Sequence, residues 1–177
     1  MVKRSLRTEK KRRIEKRTDY KLRFGLLKSG KARIVIRRSN KYFTIQVVES
    51  SESKDKILFG ITSKDLIKSG WDAKLSGSLK SLPAGYLTGL LFANKLKEKK
   101  FNKELIVDLG MRRTIDGNRS YSVIKGLVDG GLKLNVNEKI FPPEGRLNGE
   151  HLKPEVKEMI SQVRSKLGGV SPKEGKK

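Results

Sequence analysis

The chain has 177 residues, no cysteine and a single histidine, His151. This length favours one domain, and the lack of cysteine excludes disulfides, cysteine-based zinc sites and thiol nucleophiles. Hydrophobic residues make up 35% and charged residues 34% of the chain, and the formal net charge is +23. Because such an excess of positive charge repels itself, we expect an anionic partner, with nucleic acid as the first candidate.

Composition also argues against metal, cofactor and membrane roles. One histidine excludes multi-histidine metal sites and leaves a Ser/His/Asp triad only one candidate base. The longest nearly apolar run, residues 87–93, is far shorter than the roughly 20 residues that span a bilayer. The N-terminus lacks the apolar region of a secretory signal and carries Glu9 and Glu15. We therefore expect no cofactor and no membrane partner.

Positive charge is concentrated at the N-terminus. Residues 1–41 hold 17 Lys or Arg and 3 acidic residues, a net charge of +14. Residues 1–17 have no periodic apolar face, so we expect a basic arm that becomes ordered mainly on a partner. A solubilising tail or an address signal is the alternative. The cations expected to approach phosphates are Arg4, Arg7, Lys10, Lys11, Arg12, Arg13, Lys16 and Arg17.

After the arm, the pattern predicts a helix followed by a β-hairpin. Thr18 or Asp19 can cap a helix that ends at Gly30. Apolar residues then alternate from 32 to 36 and again from 43 to 47, which indicates two antiparallel strands joined by a turn. We expect a polar loop over 49–56 and a third antiparallel strand over 57–61. Ser63 could cap a short helix that Gly70 closes.

The second half of the chain reads as alternating helices and one strand. Leucines over 87–96 mark a helix whose Gly85 and Gly89 would permit close approach to the sheet. Residues 105–109 (LIVDL) are apolar apart from Asp108 and predict a buried parallel strand. A helix over 121–128 stops at Gly130, and Pro154 begins an amphipathic C-terminal helix that reaches residue 167. The fold class is therefore α/β, with a mixed sheet of three antiparallel strands plus a parallel strand, flanking helices and the basic arm.

The predicted hairpin turn combines cations, short polar side chains and an aromatic residue. Such a set supplies phosphate contacts, hydrogen bonds and a stacking surface for RNA. An ordinary turn with surface cations is the equal alternative. The residues of this turn are Arg37, Arg38, Ser39, Asn40, Lys41 and Tyr42. Arg112, Arg113 and Arg119 suggest a second basic patch around Gly117, with a solvated loop as the alternative.

Several segments, taken in order, resemble the archaeal and eukaryotic form of the L-eighteen family of large-subunit ribosomal proteins. The resemblance covers about residues 4 to 152. It rests on Arg17–Tyr20 (RTDY), Arg37–Lys41 (RRSNK), Pro83–Leu91 (PAGYLTGLL), Val107–Gly110 (VDLG), Gly126–Leu132 (GLVDGGL) and Arg146–His151 (RLNGEH). The amphipathic helix after Pro154 lies outside it.

This resemblance implies a ribonuclease-H-like fold and a non-catalytic role in the cytoplasmic ribosome. The implied partners are 5S rRNA, large-subunit rRNA and neighbouring ribosomal proteins of the central protuberance. By matched position, the implied RNA contacts are Arg17, Thr18, Tyr20, Arg23, Arg38, Ser39, Asn40 and Lys41. The implied organisation is an arm over residues 1–17, a 5S rRNA-binding α/β domain over 18–135 and a C-terminal extension over 136–177.

Three other functions remain as alternatives. A general RNA chaperone or a basic DNA-binding protein would share the charge pattern. A nuclease is the rival from another class, because a ribonuclease-H-like sheet can host two-metal hydrolysis. The first strand offers Arg33, Val35 and Arg37 where an acid would be needed, so Asp108 has no evident carboxylate partner. We therefore expect Asp108 to be hydrogen-bonded at the end of its strand and the protein to be no enzyme.

Overall fold

A computed structural model describes residues 11–16, 18–52, 54–113 and 115–168. Within them, four strands form one sheet in the order β3-β2-β1-β4. The strands are β1 (Ala32–Arg38), β2 (Phe43–Ser51), β3 (Lys54–Thr62) and β4 (Leu105–Asp108). β2 pairs antiparallel with both β1 and β3, while β1 and β4 are parallel. The predicted mixed α/β sheet is confirmed.

Helices flank this sheet and fill the connections. The α-helices are α1 (Lys11–Ile14), α2 (Tyr20–Lys28), α3 (Leu82–Glu98), α4 (Arg119–Asp129), α5 (Glu144–Asn148) and α6 (Pro154–Lys166). Three 3-10 segments lie at Ser63–Ser69, Ala73–Ser78 and Glu138–Ile140. The helical turn α1 was not predicted. The helix expected after Thr18 or Asp19 is α2, and Asp19 caps it by accepting a hydrogen bond from the Leu22 amide at 3.0 Å.

The first hairpin follows the predicted alternation. Ile34, Ile36, Phe43, Ile45 and Val47 are all buried on the face that carries the main core. This face is covered by α3 and α4, so the apolar set of each strand points towards the helices. The opposite face of the sheet carries polar and charged side chains.

The predicted polar loop over residues 49–56 is wrong. β2 continues to Ser51 and β3 begins at Lys54, with Glu49 opposite Lys56 and Ser50 opposite Asp55. Polar side chains are tolerated here because most of this end of the hairpin is exposed. A register shift between Val47 and Val48 also interrupts the alternation of apolar and polar residues. The polar sequence of this segment therefore did not indicate that it forms two paired strands.

β4 is parallel to β1 as predicted, but it is an edge strand and not a buried central one. Leu105, Ile106 and Val107 are half-buried, and only Asp108 is buried. The apolar run alone could not show whether this strand is central or at the edge, because the order of strands in the sheet decides how many neighbours a strand has. The result is an edge strand whose last residue, Asp108, lies opposite Val35 in the middle of β1.

α3 is the central helix of the protein, and the tightest contacts of its two glycines are with another helix, α4. A Cβ atom at Gly89 would overlap the Val123 carbonyl of α4, and one at Gly85 would overlap the Ser122 hydroxyl. The predicted close approach of this helix to the sheet is therefore wrong for Gly89, although the Phe43 ring also lies 3.2 Å from the Cβ position of Gly85. Close packing of α3 on α4 requires these small residues.

Two local details of the connection after β3 also differ from expectation. Thr62, and not Ser63, precedes the 3-10 turn as its cap, and its amide donates to the Asp65 carboxylate at 2.9 Å. The Ser63 hydroxyl instead accepts a hydrogen bond from the Phe43 amide at 3.1 Å. Gly70 closes the turn in the left-handed conformation, as predicted.

The C-terminal helix packs on α3. Ile160, Val163 and Leu167, at the end of α6, belong to the main core. The Tyr86 hydroxyl donates to Asp129 at 3.0 Å and accepts from Arg164 at 3.1 Å. Burial and the Asp129 carboxylate raise the pKa of Tyr86, so the phenol remains a donor. No helix in the described part of the chain combines the length and the apolar character that a bilayer crossing requires.

Candidate nucleic-acid interface

The turn between β1 and β2 is held by a serine. The Ser39 amide donates to the Tyr42 carbonyl at 2.8 Å, and the Ser39 hydroxyl accepts from the amides of Lys41 and Tyr42 at 3.2 and 2.8 Å. These bonds fix the turn and occupy the Ser39 side chain. Asn40 and Lys41 remain exposed at its tip, so the turn presents an amide and an ammonium group on a defined backbone.

Three arginines from distant parts of the chain meet beside this turn. Arg112 donates to the Arg38 carbonyl at 2.8 Å, which ties the loop after β4 to the end of β1. Burial and the neighbouring charges of Arg112 and Arg119 lower the pKa of Arg38. We call Arg38, Arg112 and Arg119 the hairpin-end cluster. The two basic regions that the sequence suggested separately thus form one surface, with Arg113 exposed next to Arg112.

The arginines of the hairpin-end cluster lack acidic partners in the part of the chain that the structure describes. Among the described residues, no carboxylate lies within ion-pair distance of Arg38, Arg112 or Arg119. Like charges held together without a counterion cost free energy in the isolated protein, and that cost is removed when an anion binds. The arrangement is suited to a polyanion that approaches the carboxyl ends of β1 and β4.

The aromatic residue of the turn is less available than predicted. Tyr42 is half-buried, and the Lys64 ammonium lies 4.6 Å from the centre of its ring. One face of the ring is therefore already covered by a cation. The expected stacking surface at this turn is restricted, and Lys64 adds another exposed positive charge.

Two other predicted arginines, Arg23 and Arg37, are paired with carboxylates on the outer face of the sheet, as is Arg33. Arg37 donates to the Asp108 carboxylate at 3.0 Å and to its carbonyl at 2.7 Å. Arg33 binds the second Asp108 oxygen at 3.2 Å and Asp55 at 2.7 Å, and Arg23 of α2 binds Asp55 at 2.9 Å. We call Arg23, Asp55, Arg33, Asp108 and Arg37 the outer-face network. It links α2 to three strands.

Asp108 is fully engaged in this network. Besides the two arginines, it accepts a hydrogen bond from the Gly110 amide at 2.8 Å. The expectation of a hydrogen-bonded carboxylate at the strand end is confirmed. The described residues contain no group of three or more His, Cys, Asp or Glu side chains arranged to hold a metal ion.

The start of α2 adjoins the same end of the sheet. A cavity of about 250 Å³ is lined by Thr18, Leu22, Arg37, Gly110 and Met111, among others. Two of its lining residues, Arg37 and Met111, are the chain neighbours of Arg38 and Arg112 in the hairpin-end cluster. Two of the matched positions, Thr18 and Arg23, line this cavity, although the Arg23 side chain is directed towards Asp55. Tyr20 is partly exposed on the same helix.

Part of the predicted arm lies outside the described residues. Arg4, Arg7, Lys10 and Arg17 lie outside the described residues. The backbone of Arg12 and Arg13 belongs to α1, and Lys11 and Lys16 are exposed.

Sequence reasoning missed the outer-face network because its partners are far apart in the chain. Asp55 lay in a predicted loop, and Arg33 was assigned only to a strand face. The available signal was the placement of Arg33 and Arg37 on one face of a strand, with Val35 between them. Charged side chains on one face of a strand require either solvent or buried counterions, and tertiary structure supplies the counterions for Arg33.

Comparisons of this chain with known proteins all indicate the same family. The family described as ribosomal large subunit proteins 60S L5 and 50S L18 matches residues 4–106. A large ribosomal subunit protein uL18 of Methanoregula boonei is 42% identical over 142 residues, which cover 80% of this chain and 79% of the relative. The matches to the uL18 proteins of Methanococcus maripaludis and Korarchaeum cryptofilum are 40% and 39% identical, and they cover 81% and 80% of this chain and 72% and 70% of the relatives.

These matches extend over most of the chain. Their breadth confirms the resemblance that the motifs suggested. The relatives are named as proteins of the large ribosomal subunit, and this family supports a structural, non-enzymatic role for this chain in the large subunit of the cytoplasmic ribosome. The chain belongs to the family of ribosomal large subunit proteins 60S L5 and 50S L18.

Proposed function

We propose that this protein binds 5S rRNA and helps to attach it to the large-subunit rRNA in the central protuberance. The observation that carries the proposal is the hairpin-end cluster, where Arg38, Arg112 and Arg119 lie together without a carboxylate partner among the described residues. Guanidinium groups bind phosphate oxygens bidentately. An RNA backbone would therefore supply the negative charge that this surface lacks.

The hairpin turn is the part of the surface suited to recognising one RNA shape. Its backbone is fixed by the Ser39 bonds, and Asn40 and Lys41 are exposed at its tip. Structured RNA is recognised through shape, phosphates and 2′-hydroxyl groups, for which short polar side chains on a rigid turn are suited. The family resemblance supports 5S rRNA as the RNA in question.

In this proposal the basic arm has a different task. Residues 1–17 carry 9 Lys or Arg and 2 acidic residues. Contacts between such an arm and phosphates strengthen binding to any RNA without encoding its sequence. The arm thus adds affinity, including contacts with large-subunit rRNA, while the folded domain over residues 18–135 contributes the preference for 5S rRNA.

The most informative experiment identifies the RNA that copurifies with the native protein. We expect a discrete 5S species whose affinity falls steeply with salt, by roughly 0.7 to 0.9 in log affinity per log salt for each neutralised phosphate. A mixed population of DNA or RNA fragments would contradict the proposal and favour a general RNA chaperone or basic DNA-binding protein. A flat salt dependence would contradict the electrostatic basis of binding.

A further inference from the structure

Helix α2 carries an aromatic side chain that packing does not explain. Phe24 is 69% exposed, the largest exposed fraction of any large apolar side chain in the described residues. No residue of α2 is buried. Exposing a phenyl ring to water forgoes the free energy that its burial would give, about 1.5 to 3 kcal/mol. An aromatic ring in this position therefore points to a ligand outside the fold.

The orientation of α2 is fixed by its contacts with the sheet. Arg23 donates to Asp55 at 2.9 Å, and Leu22 and Leu26 line a cavity with β4 and α4. These residues define the inner side of the helix. Phe24 therefore projects away from the protein.

Two lysines flank Phe24 on the exposed side of the helix. Lys21 precedes it by three positions and Lys28 follows it by four, so all three share one helical face. Both lysines are exposed, and neither forms an ion pair with a carboxylate in the described part of the chain. The face thus presents a ring between two ammonium groups about one helical turn away on either side.

From this arrangement we infer that Phe24 is a stacking site for an unpaired RNA base, with Lys21 and Lys28 binding the phosphates on either side of that nucleotide. An aromatic ring with adjacent cations is the chemistry by which proteins hold unstacked nucleotides. A purely apolar protein partner would match the ring but would leave both ammonium groups without counterions.

The position of α2 also joins this site to the proposed RNA-binding surface. Thr18 and Leu22 of this region share a cavity with Arg37, Gly110 and Met111 at the hairpin end of the sheet. One RNA can therefore contact the hairpin-end cluster and α2 together. The inference rests on the proposed function and adds to it a contact with a base, whereas the arginine cluster is suited to phosphates.

The test uses the full-length protein and 5S rRNA, and it begins with four variants at two positions. Phe24→Leu keeps apolar bulk without a π-face, and Phe24→Ala removes both. We expect each to weaken binding by about 5- to 150-fold, which corresponds to about 1 to 3 kcal/mol for one stacked base. Phe24→Trp should retain the wild-type affinity. Ile57→Ala, at an exposed apolar position of β3, is the matched control and should not change affinity.

Salt dependence separates stacking from charge. Phe24→Leu should leave the slope of log affinity against log salt unchanged, because no cation is lost. Lys21→Gln with Lys28→Gln should reduce that slope by up to about one unit for each contact. The fluorescence of the indole introduced by Phe24→Trp should be quenched when 5S rRNA binds. A titration of the wild type, whose only tryptophan is the buried Trp71, gives the background.

Each result decides the inference separately from the proposed function. If the wild type does not bind 5S rRNA, the proposed function fails. If the wild type binds and Phe24→Leu binds equally well, the stacking site is wrong while the proposed function stands. Acrylamide quenching of the introduced indole in the free Phe24→Trp protein checks that this position is accessible, and a shielded ring would also overturn the inference. Normal RNA affinity with loss of a contact to another protein in the large subunit would overturn it in favour of a protein interface.

Discussion

Two groups of arginines at neighbouring parts of the sheet have opposite surroundings. In the outer-face network, Arg23, Arg33 and Arg37 are bonded to Asp55 and Asp108. In the hairpin-end cluster, Arg38, Arg112 and Arg119 have no such partner among the described residues. The same residue type therefore stabilises the fold in one place and remains available for an anion in the other. Counting charges along the sequence does not distinguish the arginines that stabilise the fold from those that are available for an anion.

Burial explains why the paired group is needed. The Arg33 side chain is only 3% exposed, and a guanidinium in that position requires counterions and hydrogen bonds. Asp108 on β4, Asp55 on β3 and Ser50 on β2 supply them. The hairpin-end arginines lie nearer the solvent and tolerate the absence of a carboxylate. Replacing members of each group should therefore affect different properties of the protein.

The largest effect should follow from Asp108→Ala. This change leaves Arg33 buried without one of its counterions and releases Arg37, and breaking a buried ion pair on one side costs about 3 to 5 kcal/mol. Urea denaturation should show this loss in the free energy of unfolding. Asp116→Ala, at an exposed aspartate in the loop before α4, is the matched control and should change stability by less than about 0.5 kcal/mol. Equal effects of the two variants would show that the network is energetically unimportant.

Neutralising the hairpin-end cluster should give the second largest effect, on RNA binding. Arg38→Gln, Arg112→Gln and Arg119→Gln together should weaken 5S rRNA binding and reduce the salt slope by up to about one unit per lost contact. Thermal unfolding should change little, because removing like-charge repulsion offsets the lost Arg112 hydrogen bond. A control that neutralises Lys74, Lys80 and Lys157 removes the same charge from other exposed positions. Equal loss of affinity in both would mean that total charge, and not the cluster, determines binding.

A smaller and more selective effect should separate the arm from the hairpin. Alanine at Lys10, Lys11, Arg12 and Arg13 should weaken 5S rRNA and an unrelated structured RNA by similar factors, because phosphate contacts carry no sequence information. Alanine at Arg38, Asn40 and Lys41 should instead reduce the ratio of the affinity for 5S rRNA to the affinity for the unrelated RNA. Both RNAs are measured against both variants at one salt concentration, with melting curves to check the fold. Specificity would belong to the arm if the arm variant lost discrimination and the hairpin variant kept it.

The smallest expected effect concerns acid stability at Asp55. Burial alone would raise the pKa of Asp55, but hydrogen bonds from Ser50 and Arg23 and the charges of Arg33 and Arg23 hold its pKa below the usual value. Because its folded pKa lies below its unfolded pKa of about 4, the carboxylate stabilises the fold above that pH, and this contribution is lost as pH falls through the folded value.

The measurement compares the free energy of unfolding of wild type and Asp55→Asn between about pH 5 and pH 2.5. We expect the wild type to lose more stability over this range than the variant, which has no carboxylate to protonate at that position. Asp116→Asn provides the control for an exposed aspartate. Parallel curves for wild type and Asp55→Asn would contradict the role assigned to the network in acid stability.

Local patterns in the sequence determined much of this protein. Alternation predicted the first hairpin, Asp19 predicted the start of α2, and the leucine spacing and Pro154 predicted α3 and α6. The concentration of positive charge predicted an anionic partner, and the family motifs identified the family that the relatives confirm. These features depend on residues close together in the chain, where periodicity and capping act.

Only the tertiary structure decided which arginines are neutralised and which are available. Arg33 and Asp108 are 75 residues apart in the chain, and Arg38 and Arg112 are 74 apart, yet the parallel pairing of β1 with β4 brings both pairs together. Sheet order likewise made β4 an edge strand, and pairing of β2 with β3 converted a predicted loop into strands. Ion pairing depends on distances of a few ångströms through space, which strand order sets and local sequence pattern does not.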